Sequence, residues 1–167
     1  DIPGAPFVLV KTDGKLPPEQ TVREAAQLAA SYSRAWKEML ATTNVYWVSP
    51  QQVSEHPPSG EYLPKGSFMI YGKRNYVRNV PLEAAIGVKK EDRMKIIGGP
   101  TDAIAKQTDL FVKIVPGKNT SSKLAKEIRH RLATASSNTA REEILQIPIE
   151  EIQGFIPSGR GDLLSRS

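Results

Sequence analysis

The sequence contains no cysteine and no long apolar run. The absence of cysteine excludes disulfide bonds and thiolate ligands for a metal. Without a long apolar run we expect neither a membrane span nor a secretory signal peptide. Histidine occurs only as His56 and His130, far apart in the chain, so we expect no histidine metal site and no catalytic histidine. The prediction is therefore a protein with no metal, no other cofactor and no membrane association.

The remaining composition is that of an intracellular globular protein, and we expect a cytoplasmic location. With 167 residues, of which 39% are hydrophobic, the chain can bury one moderate core or two small ones. The pattern contains no nucleophile, base and oxyanion-donor set and no dinucleotide fingerprint, which predicts a binding module and not an enzyme. A net charge of +5 is compatible with nucleic acid but does not establish it.

The most informative stretch is residues 61–78, in which four cations follow Glu61 with no further acid. Three aromatic rings are interleaved with them; the cations are Lys65, Lys73, Arg74 and Arg78, and the rings are Phe68, Tyr71 and Tyr76. The pattern predicts a β-hairpin with its cations at the tip. Residues 67–71 alternate as a strand, residues 72–75 are typical of a turn, and residues 76–77 begin the returning strand. Two interpretations stay open: a surface for a polyanion with stackable bases, or a solvated turn beside a half-buried strand.

Residues 45–53 (VYWVSPQQV) and 60–76 (GEYLPKGSFMIYGKRNY) resemble the NFACT-R domain of the NEMF/RqcH family of ribosome quality-control factors. Residues 1–6 and 24–36 extend this resemblance upstream. Four later segments resemble the NFACT-C module of the same family, namely FVKIVPG at 111–117, KLAK at 123–126, TAREE at 139–143 and FIP at 155–157. In bacterial and archaeal relatives a strand and a histidine-containing segment precede the position that corresponds to residue 1. Their absence here predicts that the sequence is a fragment of a longer chain.

The resemblance implies a function, because family members bind the large ribosomal subunit that carries an obstructed peptidyl-tRNA, recruit aminoacyl-tRNA and support untemplated extension of the stalled chain. It implies that this chain contacts tRNA or large-subunit rRNA, with other domains of the parent chain as further partners. The positions that match the RNA-binding role are Lys65, Lys73, Arg74, Tyr76 and Arg78. The NFACT-C resemblance implies no residue-level role.

The predicted fold is α+β, with a module at residues 1–87 and a second small α+β module at 88–167. In the first, a helical stripe from Val22 to Leu40 predicts a helix over residues 18–40, which covers an antiparallel sheet containing residues 45–49 and 67–71. A strand is predicted at residues 7–10, and a short helix at 81–86 near the module boundary. Trp36 and Trp47 are predicted to be buried in the core.

The cations outside the hairpin can be either solvated or in contact with RNA. In the first module these are Arg34 and Lys37, which lie away from the helical stripe. In the second module the polar segment 118–123 leads into a helix that continues to about residue 134, and its basic residues are Lys118, Lys123, Lys126 and Arg129. This segment is a candidate phosphate cradle. An ordinary N-cap by Thr120 or Ser121 explains the same residues.

The second module is further predicted to contain strands at 93–97 and 109–115, a short helix at 101–107 and a helix from Asn138. A turn at 156–161 is predicted to lead into an ill-ordered tail. Three functional hypotheses result: RNA binding, docking onto other domains or ribosomal proteins, and an RNA-modifying activity that would need a buried polar cluster. Of the aromatic residues, Tyr76 is predicted to contact a base.

Overall fold

The computed structural model describes residues 2 and 4–164, which fold into helices and antiparallel strands. The helices are α1 (Glu19–Ser31), α2 (Arg34–Lys37), α3 (Thr101–Ala105), α4 (Ser121–Ala135), α5 (Asn138–Leu145) and α6 (Ile149–Gln153). The strands are β1 (Thr42–Trp47), β2 (Val53–Ser54), β3 (Met69–Ile70), β4 (Asn75–Pro81), β5 (Ala84–Lys90), β6 (Met94–Gly99), β7 (Phe111–Thr120) and β8 (Arg160–Leu163). The predicted α+β class is confirmed.

The largest sheet has four antiparallel strands in the order β6-β5-β7-β8. Strand β5 lies between β6 and β7, and Ala85 and Ile86 have no exposed surface. Packing on this sheet is close at Gly98, where an added Cβ would lie 2.6 Å from the Phe155 ring. A residue without a side chain is therefore required there, because a Cβ and the ring would occupy the same space.

Two smaller sheets lie in the first half of the chain, and they correct the predicted hairpin. Strand β3 pairs with β2, whereas β4 pairs with β1. The Gln52 side-chain amide donates to the carbonyls of Tyr71 (2.7 Å) and Lys73 (2.8 Å), and the Tyr71 N–H donates to the Gln52 carbonyl at 2.8 Å. The connection between β3 and β4 is therefore held by Gln52, and the chain crosses from one sheet to the other instead of turning back. The single sheet predicted to contain both 45–49 and 67–71 is wrong for the same reason.

The helix predicted over residues 18–40 is divided into α1 and α2 at Ser33. The backbone of Ser33 is extended, and its hydroxyl donates to the Ala30 carbonyl at 2.7 Å and accepts from the Ala35 N–H at 3.2 Å. A serine hydroxyl competes in this way with the helical hydrogen bonds. Of the predicted stripe, Ala26 and Trp36 are buried in the core, whereas its last residue, Leu40, lies after the end of α2 and is 40% exposed.

Side chains from both halves of the chain pack in one hydrophobic cluster, which includes Trp36, Ile86 and Ile128. Trp36 is 1% exposed, and its indole N–H donates to the Arg160 carbonyl at 2.7 Å, so its predicted place in the core is confirmed. The predicted module boundary between residues 87 and 88 lies within β5. The assignment of residues 1–87 and 88–167 to separate modules stays a prediction.

Three further secondary-structure predictions are wrong. Residues 81–86 contain no helix and instead lead into β5, whose central position needs an extended buried segment. Residues 7–10 form no strand; the Phe7 ring instead contacts the Phe68 ring in a tilted arrangement, with the ring centroids 4.8 Å apart. The predicted turn is present at residues 157–159, but the residues predicted to lead into an ill-ordered tail form β8, which pairs with β7 at Leu163 and Ile114. The predicted tail beyond residue 164 lies outside the described residues.

Candidate nucleic-acid interface

Four side chains form what we call the tyrosine–arginine ladder, on the ribbon of β1 and β4. Tyr46 and Tyr76 are directly opposite in the strand register, with their ring centroids 5.8 Å apart and the ring planes inclined by 59°. The Arg74 guanidinium carbon lies 4.7 Å from the centroid of the Tyr46 ring, and that of Arg78 lies 5.2 Å from the centroid of the Tyr76 ring. The two guanidinium groups therefore flank a pair of rings.

Strand geometry explains why these residues share a face. Side chains alternate between the two faces of a strand, so Arg74, Tyr76 and Arg78 point to the same side. On the other side, Val77 pairs with Val45, and both pack against the hydrophobic cluster. A one-residue shift in pairing would expose these valines, and the apolar contacts therefore fix the register that brings Tyr46 to Tyr76.

The ladder combines positive charge with accessible ring surface. Tyr76 is 41% exposed, and Arg74 and Arg78 are exposed. An arginine stacked on an aromatic ring retains its charge and its N–H donors, which can pair with phosphate oxygens. Aromatic faces can stack on unpaired bases. This arrangement is chemically suited to RNA.

Of the other predicted cations of the first module, only Lys73 lies next to the ladder in sequence. Lys73 precedes Arg74, and Lys65 lies in the exposed loop before β3; both side chains are exposed. Within residues 4–164, neither lysine forms an ion pair. Arg34 and Lys37 are also exposed, but they lie on α2, which packs against β7 and the turn at 157–159. The structure therefore groups Lys73 with the ladder and places the α2 cations on a separate element.

In the predicted phosphate cradle, the polar groups hydrogen-bond to other parts of the chain. The Thr120 hydroxyl accepts from the Lys123 N–H at 3.4 Å, which confirms the N-cap interpretation for Thr120. Ser121 accepts from the Gln153 amide at 3.0 Å, and the Asn119 amide donates to the Asp162 carboxylate at 2.7 Å. The Thr120 hydroxyl thus caps its own helix, while Ser121 and Asn119 join this segment to Gln153 and Asp162.

The cations in and after residues 118–123 differ in how accessible they are to a phosphate. Lys118, Lys123 and Lys126 are exposed. Arg129 is half-buried, and its guanidinium donates to the Ile147 carbonyl at 2.9 Å. RNA contact by the three lysines stays a prediction, and Arg129 has a structural role whether or not RNA is bound. The opposite face of α4 is buried as predicted, with Leu124, Ile128 and Leu132 at 0% exposure.

The prediction that Trp47 is buried is wrong. It is 45% exposed and lines an open groove of about 740 Å³ between α1 and β4, together with Tyr76 and Arg78. Strand alternation places Trp47 on the same side as Val45, but α1 begins only at Glu19, and its first residues are polar. The α1 residues that line the groove with the indole are mostly polar, with Val22 as the apolar one, and they leave nearly half of the indole exposed.

Sequence reasoning also missed Tyr46. The signal was present, since Tyr46 alternates with Val45 and Trp47 in a predicted strand. Its partner strand was assigned incorrectly, so its position opposite Tyr76 was not foreseen.

Carboxylates on the α1 side of the groove have partners of their own. Glu19 pairs with Arg23. Glu24 accepts hydrogen bonds from Lys106 at 2.8 Å and from Gln20 at 3.1 Å. The hydrogen bond from Lys106, followed by that from Gln20, lowers the pKa of Glu24. The carboxylate therefore stays ionised at neutral pH, and the groove has a cationic and aromatic wall facing a more acidic one.

Across the part of the chain that the structure describes, no group of three or more histidine, aspartate or glutamate side chains is placed to hold a metal ion. Within the same residues, no helix is both long and apolar enough to cross a membrane.

Residues 1–72 match the family model of the NFACT protein RNA binding domain. The match includes Tyr46 and Trp47 and ends just before Lys73. Residues 1–72 of the 167-residue chain are therefore similar to an NFACT RNA-binding domain.

The chain is homologous to ribosome quality-control proteins. It is 42% identical over 130 residues to the archaeal Rqc2 homolog aRqcH of Methanocaldococcus jannaschii, which covers 77% of this chain and 19% of that protein. It is 43% identical over 96 residues to the ribosome quality control complex subunit NEMF homolog of Drosophila melanogaster, with 55% and 10% covered. The human NEMF subunit is 42% identical over 78 residues, with 46% and 7% covered.

The chain thus spans a fifth or less of the length of these curated relatives. The predicted NFACT-R resemblance and the relationship to quality-control factors are confirmed. The NFACT-C module predicted for residues 88–167 stays a prediction.

Proposed function

We propose that this chain is the RNA-binding portion of a cytoplasmic, ribosome-associated quality-control factor, and that it contacts tRNA or large-subunit rRNA while stalled nascent chains are rescued. The observation that carries the proposal is the tyrosine–arginine ladder, which begins within the matched RNA-binding domain and continues directly after it. The names of the relatives as ribosome quality control subunits support the ribosomal context.

Binding through this surface is electrostatic in its largest part. Lys73, Arg74 and Arg78 lie within six residues at the start of β4 and are exposed, so each can neutralise a phosphate. Each phosphate contact releases condensed counterions and contributes about 0.7 to 0.9 to the slope of log affinity against log salt concentration. The proposal therefore includes a strong salt dependence and little dependence on base sequence.

The test is tRNA binding by the double variant Lys73→Glu/Arg74→Glu over a range of salt concentrations. We expect a severalfold or larger loss of affinity and a reduced salt slope, because two phosphate contacts are replaced by repulsion. The matched control is Lys11→Glu/Lys15→Glu, which changes the net charge equally at two lysines of the N-terminal segment. Equal losses in both variants would show that only net charge matters and would remove the ladder from the site.

A second candidate, docking onto a protein, is favoured by the exposed apolar side chains of the N-terminal segment. Phe7 is 56% exposed, Leu9 84% and Leu16 91%. Several large apolar side chains left in water along one segment can mark an interaction surface. If docking dominates, Leu9→Asp/Leu16→Asp should weaken association with purified large ribosomal subunits and leave binding to free tRNA unchanged. Unchanged subunit association would exclude this segment as the docking surface.

A further inference from the structure

The groove between α1 and β4 has an exposed tryptophan that the ladder does not use. Trp47 is 45% exposed, and Tyr76, at 41%, lines the same groove. The groove is open to solvent and has a volume of about 740 Å³, which is ample for a flat heterocycle beside the indole. The exposed indole beside such a space provides apolar surface for a planar group, and Tyr76 borders the groove while its ring lies on the ladder face of the ribbon.

The two walls of the groove differ in charge. The ribbon side carries Arg78, whose guanidinium lies over the Tyr76 ring. The wall formed by the helices carries three carboxylates with one arginine, namely Glu19, Glu24, Asp102 and Arg23, and Lys106 hydrogen-bonds to Glu24. Phosphates are attracted to the ribbon side and repelled by the carboxylates. The amino group of a base has the opposite preference, since carboxylate oxygens accept hydrogen bonds from such donors.

From this asymmetry we propose that the RNA ligand is unpaired, with its phosphates on the ladder and one base inserted into the groove against Trp47. This inference rests on the proposed function, which it makes specific for single-stranded RNA or unpaired loops. The acidic wall accommodates the edge of a base, and it is unfavourable for the second backbone that a duplex would bring.

Double-stranded RNA fits this surface poorly for a second reason. In a duplex the base faces are covered by neighbouring bases, so an aromatic side chain cannot stack on them unless the helix is opened. The phosphate contacts on the ladder remain available to a duplex. The expected discrimination therefore resides in Trp47, while the arginines contribute to both kinds of ligand.

The experiment compares an unstructured RNA oligonucleotide with a duplex of equal length in binding to the full 167-residue chain. We expect tighter binding of the unpaired RNA. Trp47→Leu should weaken that binding about 5- to 150-fold, the range for loss of one base–aromatic stack, and change duplex binding by less than about twofold. Trp47→Phe retains a ring and should recover most of the affinity.

Tryptophan fluorescence gives an independent readout in the unmodified chain. Trp36 is buried, so its emission is a constant background and Trp47 reports on the groove. We expect unpaired RNA, but not duplex, to quench the emission and to protect it from acrylamide. The quenching should be absent in Trp47→Phe.

Equal effects of Trp47→Leu on both ligands, or fluorescence that unpaired RNA leaves unchanged, would overturn the inference. The proposed function would survive that result if Lys73→Glu/Arg74→Glu still lowered RNA binding selectively. Failure of the unmodified chain to bind either RNA would overturn both. If Trp47→Leu does not fold, the fluorescence of the unmodified chain and the RNA affinity of Trp47→Phe still test whether a base stacks on Trp47.

Discussion

Replacing Trp36 with alanine should destabilise the whole chain, because this side chain joins its two halves. The indole belongs to α2, is 1% exposed, and donates to the Arg160 carbonyl of β8 at 2.7 Å. It also packs on Gly161, where an added Cβ would lie 3.4 Å from the indole ring. The residue thus connects the first helices directly to the last strand of the main sheet.

The expected loss of folding free energy in Trp36→Ala has two parts. Emptying a core site of an indole costs about 3 to 5 kcal/mol. Leaving the Arg160 carbonyl without its donor adds about 1 kcal/mol or more if water does not replace it. For a domain of this size each kcal/mol lowers the melting temperature by about 2 to 4 °C, so we expect a decrease on the order of 10 °C or more. Trp36→Phe should recover the packing part alone.

The assay is urea and thermal unfolding followed by far-ultraviolet circular dichroism, with Tyr76→Ala as the comparison. Tyr76 is 41% exposed, so its truncation should cost about 1 kcal/mol or less while reducing affinity for unpaired RNA. Trp36→Ala should unfold in one transition at lower urea. Equal destabilisation by the two variants would refute this reasoning, and two separate transitions in Trp36→Ala would show that the halves fold independently.

Two further predictions concern stability. Burial raises the pKa of Tyr32, whose hydroxyl donates to the Phe155 carbonyl at 2.6 Å. The contribution of the protonated Tyr32 phenol to the free energy of unfolding is therefore fully present below the unfolded-state pKa of about 10. It is lost as pH rises through the higher folded-state pKa. Tyr32→Phe should therefore reduce the fall in urea midpoint between about pH 9 and pH 11, and an unchanged fall would contradict this assignment. Gly98→Ala should lower the melting temperature, because overpacking against Phe155 costs about 1 to 3 kcal/mol. The control Gly154→Ala would place its Cβ 3.7 Å from the nearest atoms, and equal losses in the two variants would rule out the clash.

The sequence by itself determined the features that depend on neighbouring residues. The inward face of α4 follows from helical spacing of Leu124, Ile128 and Leu132, and the start of α4 follows from the capping preference of Thr120. The cations near residue 74 and the interleaved aromatic residues were likewise visible, since they need only composition and order. The resemblance to a known RNA-binding domain rested on the same local patterns.

Only the tertiary structure decided which strands pair and which rings meet. Residues 69–70 alternate as a strand whichever partner they have, and hydrogen bonds from Gln52 direct the chain to a different sheet. Likewise, Trp47 has the pattern of a core residue, but it is exposed because α1 starts at Glu19 with polar side chains. Strand pairing and burial depend on contacts between distant segments, and alternation within one segment does not specify them.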